Sequence, residues 1–72
     1  MNRFGKLREL VTLARSLEAE ARTLAPGGQG RIDRMAEAAG YRAKAEWLAG
    51  RIDGAAYAAL RAEVADAAAY PV

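Results

Sequence analysis

Catalytic chemistry has little to work with in this chain of 72 residues. Its carboxylates are Glu9, Glu18, Glu20, Glu37, Glu46, Glu63, Asp33, Asp53 and Asp66, and it contains no histidine and no cysteine. The commonest general base at neutral pH and the commonest metal ligand are therefore missing, as is a thiol nucleophile. Apart from tyrosines, the hydroxyls are Thr12, Ser16 and Thr23, all in one N-terminal stretch with no base spaced to activate them. Asp33 and Asp53 each stand where a helix would begin, so their carboxylates have a ready role as caps. The sequence thus argues against an enzyme and calls for no metal and no cofactor.

The basic side chains are better organised. Arg8, Arg15 and Arg22 recur every seven residues, which aligns them along one edge of a helix. Such a row offers bidentate donors to phosphates, or flanks a helix–helix seam, or simply keeps one face solvated. A second group reads as part of a helix-turn-helix. Ala36 precedes Gly40 by four residues, and Arg42 and Lys44 would open the reading helix. Glu46 then falls where such a motif wants an apolar anchor, with Trp47 one position late. The formal charge of +2 is too small to require a nucleic-acid partner. Charge is uneven along the chain, at +2 over residues 1–24, +1 over 25–50 and −1 over 51–72. Nine of the eleven basic residues are arginine, a bias that a GC-rich genome also produces.

The glycine-rich run Ala25-Pro26-Gly27-Gly28-Gln29-Gly30 suggests a phosphate cradle. No strand precedes it and no Lys-Ser or Lys-Thr follows, so the logic of the P-loop fails. It reads as a connector between helices, because proline disfavours helix in the residue before it.

These side chains are positioned by three helical stretches. The first spans residues 2–24, with Asn2 as its cap and Phe4, Leu7, Leu10, Val11, Leu13, Ala14, Leu17, Ala21 and Leu24 on one broad apolar face. Residues 25–30 form the linker. The second runs over 33–49, its stripe made of Ile32, Met35, Ala36, Ala39, Ala43 and Trp47; it either passes through Gly40 or breaks there. The third covers 53–69, and Pro71 ends it. The tetrapeptide Gly-Arg-Ile-Asp occurs at 30–33 and again at 50–53, each time readable as loop, buried isoleucine and cap.

The second connection carries the densest signal. Gly50 suits the left-handed conformation that closes a helix, and Asp53 suits the cap of the next. Ile52 and Tyr57 are spaced for a hydrophobic staple. The run Gly50-x-Ile52-Asp53-x-x-x-Tyr57-x-x-x-Arg61-x-x-Val64 resembles the SHOCT (short C-terminal domain) motif, and the likeness extends over residues 45–66. Gly54 and Ala56 stand where that family usually has Glu. The resemblance implies a short helical hairpin of the kind found in bacterial proteins and associated with oligomerisation.

The sequence therefore predicts an all-α, single-domain protein of three helices, in which the last two form a hairpin and the first packs across it. Nineteen alanines favour helix while adding little core volume, so a second chain is expected to complete the core. The expected function is non-enzymatic: protein–protein interaction, as a homo-oligomer or as an accessory subunit on a larger partner. The interface would be Phe4, Leu7, Leu10, Val11, Leu13, Leu17 and Trp47. A lone Trp in so small a domain reads first as a core anchor. The alternative is a small DNA-binding protein contacting nucleic acid through Arg42, Lys44, Arg8, Arg15 and Arg22. No run approaches the roughly 18 apolar residues of a membrane-spanning helix, and a cytoplasmic location is expected.

Overall fold

A computed structural model describes residues 3–69 of the chain, which form three α-helices: α1 (Arg3–Arg22), α2 (Gln29–Leu48) and α3 (Gly54–Ala69). No strand occurs among the described residues, and the chain is a small all-α domain. The expected cap at Asn2 and the stop at Pro71 lie outside the described residues.

The first connection is tighter than expected. The Gly28 amide donates to the Ala25 carbonyl at 3.0 Å, with Pro26 and Gly27 between them. Gly27 has a φ of 78°, which makes this a type II turn with proline and glycine in their preferred places. The turn leaves Gly28 extended, so α2 starts at Gln29, four residues earlier than predicted. Gly30-Arg31-Ile32-Asp33 is consequently the first turn of a helix rather than a loop and cap. Asp33 accepts a hydrogen bond from the Gln29 side chain at 2.8 Å instead of capping.

The closure and the cap of the second connection are built as read. The Arg51 amide donates to the Glu46 carbonyl at 2.9 Å and the Gly50 amide to the Trp47 carbonyl at 3.0 Å, a complete Schellman closure. Gly50 supplies the φ of 78° that this geometry demands. The Asp53 carboxylate then accepts from the Ala56 amide at 2.7 Å, satisfying a donor that α3 would otherwise leave open.

The helix α2 passes unbroken through Gly40. A helix-turn-helix needs a turn at that position, and there is none. A Cβ built on Gly40 would lie 3.7 Å from Val64 Cγ1, so the glycine faces α3 from within regular helix rather than marking a bend.

Packing also departs from the prediction. The first helix does not cross the hairpin: α2 contacts both α1 and α3, and α1 makes no contact with α3. Ala36 and Ala43 are buried, and so are Ala38 and Ala45. At 100° per residue, positions 36 and 38 point about 200° apart, as do 43 and 45. One alanine pair therefore meets α3 and the other meets α1. The sequence reading found the first stripe and missed the second, because alanine at 38 and 45 looks like a polar-face helix former. The outcome is one layer of three helices, α1–α2–α3, with Cα extents of 36 × 24 × 15 Å. Against α2, the first helix buries Leu10, Ala14 and Ala21, of which Leu10 is only 2% exposed. Burying that leucine contributes roughly 1.5–3 kcal/mol.

Candidate interaction surfaces

A single layer has two broad faces, named here after residues of α2. Arg42 and Met35 point to one face; Tyr41 and Lys44 point to the other. Arg42 and Lys44 differ by 200° around the helix and cannot act side by side.

On the Arg42 face, Arg42 Nε and Nη2 each donate to the Glu18 carboxylate at 2.7 Å, tying α2 to α1. This planar, two-bonded pairing is the strong form of a charge-assisted contact. It holds the Glu18 carboxyl below its ordinary range: the Arg42 hydrogen bond acts most, partial burial opposes it, and the charges of Arg42, Arg22 and Arg15 add to the lowering. The same bond holds the Arg42 guanidinium even more firmly protonated. Arg8, Arg15 and Arg22 form the exposed outer row of this face, as their heptad spacing predicts. Two shallow grooves cross it. One, of about 310 Å³, runs between Leu7 and Val11 of α1 and Ala45 and Ala49 of α2. The other, of about 400 Å³, lies between Ile32, Met35 and Ala39 of α2 and Glu63 and Val64 of α3.

On the Lys44 face, Arg34 Nε donates to Glu20 at 3.0 Å, a second bridge from α2 to α1. Glu20 raises the Arg34 pKa further. A groove of about 620 Å³ separates Tyr41 and Lys44 from Tyr57, Arg61 and Val64. At its hairpin end the Tyr57 ring stacks on Trp47, centroids 4.9 Å apart and planes 8° from parallel. The Arg61 guanidinium covers the Tyr57 ring at 5.8 Å from its centroid. Trp47 is 43% exposed, so it is half anchor and half surface rather than a buried core residue.

The predicted interface residues are thus divided. Leu10 is consumed within the chain, and Leu7, Val11 and Leu17 are half-buried. Phe4, 77% exposed, is on the Arg42 face, whereas Leu13, 39% exposed, is on the Lys44 face. The structure adds Met35, 46% exposed, which sequence reasoning had assigned to the core stripe. The predicted nucleic-acid set divides too: Arg8, Arg15, Arg22 and Arg42 share a face, and Lys44 is on the other.

Among the described residues, no cluster of three or more acidic side chains is gathered closely enough to hold a metal ion. No described helix is long and apolar enough to cross a membrane. No protein-family profile, curated protein or solved structure matches the chain.

Proposed function

We propose that this chain is a small helical protein–protein interaction module that self-associates through its Lys44 face, with a SHOCT-type hairpin as half of its frame. The observation that carries the reading is the open layer: α1 and α3 sit on opposite sides of α2, so nothing within the described chain covers either broad face. The in-plane extents of 36 × 24 Å give a face on the order of 800 Å², the area each partner contributes to an interface of standard size.

The Lys44 face suits a second copy of itself. Its charges balance, with Lys6, Arg34, Lys44 and Arg61 set against Glu9, Glu20, Asp33 and Glu37. Two of these acids are already bridged within the chain. Leu13, Tyr41 and the Trp47–Tyr57 stack supply apolar and aromatic area of the kind enriched at interface centres. The hairpin reading is supported by Gly50 and Asp53, which perform the closure and the cap that the motif's spacing implies.

Sedimentation equilibrium tests the proposal. A dimer mass at moderate concentration is expected, with Leu13→Glu sedimenting as a folded monomer of unchanged helix content. A native chain that stays monomeric at every concentration would refute it.

A further inference from the structure

The modest overall charge conceals a segregation that only the fold displays. Arg8, Arg15, Arg22, Arg31, Arg42 and Arg51 all fall on the Arg42 face, opposed there by Glu18, Glu46 and Glu63. Arg31 lines one groove of that face and Arg51 the other. The Lys44 face, by contrast, is balanced. Among the described residues, Arg42 alone of these six is held in a salt bridge. One side of a thin layer therefore carries an excess of three positive charges and five arginines with their donors uncommitted.

We propose that the Arg42 face binds the phosphate backbone of double-stranded nucleic acid without reading its sequence. Seven-residue spacing on a straight helix places Arg8, Arg15 and Arg22 about 10.5 Å apart along α1. A duplex carries one phosphate charge per ~1.7 Å of its axis, counting both strands, so the row faces a dense field of negative charge whatever the sequence beneath it. Arginine, with its planar fork, is the side chain that holds such oxygens with two bonds. Arg8, Arg15 and Arg22 are all exposed, where a helix lying on a membrane would instead carry an apolar strip for insertion. Val11 is half-buried beside one groove, Met35 lines the other while staying 46% exposed, and Phe4 stands at the end of the row. Glu18 acts as an internal competitor, occupying Arg42 with the geometry a phosphate would use. No helix-turn-helix is involved, and Lys44 takes no part.

The inference rests on charge placement, not on self-association, and the Leu13→Glu monomer serves to measure it separately. Fluorescence anisotropy with a labelled mixed-sequence DNA duplex is the direct test, with circular dichroism confirming that each variant is folded. Binding should weaken steeply as salt rises. The triple variant R8A/R15A/R22A should lose about tenfold or more in affinity at low salt, and its log–log salt slope should fall by about 2.7. Glu18→Gln should bind several-fold more tightly by releasing Arg42, an effect that a merely structural role for the pair would not produce. Lys44→Ala should bind as the native chain does. Equal affinity and slope for the triple variant would overturn the proposal. So would tighter binding to phosphatidylcholine–phosphatidylserine vesicles than to the duplex, which would assign the face to a lipid surface.

Discussion

Trp47, the last-turn residue of α2, and Tyr57, in the first turn of α3, stack face to face at 4.9 Å across the hairpin connection. They stand ten positions apart in the sequence, and between them lie the helix closure at Gly50 and the cap at Asp53. The stack therefore fixes the angle at which α3 leaves the turn, while the turn fixes the distance at which the rings meet. With Arg61 over the Tyr57 ring, the connection ends in an aromatic platform that is partly exposed through Trp47.

Removing that platform should loosen α3 more than α1. Tyr57→Leu keeps apolar bulk and deletes the stacking, so a loss of about 0.5–1.5 kcal/mol is expected. Trp47 fluorescence should shift to the red, and amide exchange should quicken in α3 while that of α1 around Leu10 is unchanged. Equal loss of protection in both helices would show that the layer opens as one unit.

The connection itself gives two graded effects. Asp53→Ala removes the carboxylate that accepts from the Ala56 amide and should lower stability by about 1 kcal/mol. Gly50→Val places a β-branched residue at a φ of 78° and should be worse, by about 2 kcal/mol or more. Urea denaturation of both variants reads the difference, and unchanged midpoints would remove the connection from the account of stability.

Gly40 makes the opposite prediction. A Cβ there would sit at ordinary contact distance from Val64 and within regular helix, so Gly40→Ala should stabilise by about 0.5–1 kcal/mol. A chain with a turn at that position would instead be destabilised. Thermal midpoints distinguish the two arrangements directly.

The Glu18–Arg42 bridge sets a pH dependence of definite sign. The Glu18 carboxyl is held below its unfolded range chiefly by the Arg42 hydrogen bond, so the folded state binds fewer protons there than the unfolded state. Its stabilising contribution is complete above the unfolded pKa and disappears as pH falls through the lower, folded value. Both partners touch solvent, which makes the effect small and sensitive to salt. The melting midpoint should therefore decline less on acidification for Glu18→Gln than for the native chain, and added salt should narrow the gap.

Much of this protein is decided by local chemistry and is legible in the sequence. Three helices follow from alanine-rich apolar periodicity, and the second connection follows from Gly50 and Asp53, because closure and capping depend on backbone φ and on side chains a few residues away. What distance decides is different. The same Gly-Arg-Ile-Asp is a turn and cap at 50–53 but the first turn of a helix at 30–33. There the preceding Pro26-Gly27 turn delivers an extended Gly28 to the helix start. Alanine carries no mark of which way it faces, so the two-sided burial of α2, through Ala36 and Ala43 on one side and Ala38 and Ala45 on the other, is settled only by the arrival of α1 and α3. The heptad of Arg8, Arg15 and Arg22 is visible in one dimension. Its union with Arg31, Arg42 and Arg51 on one face, and the separation of Lys44 from them, exist only because three helices pack as a single layer.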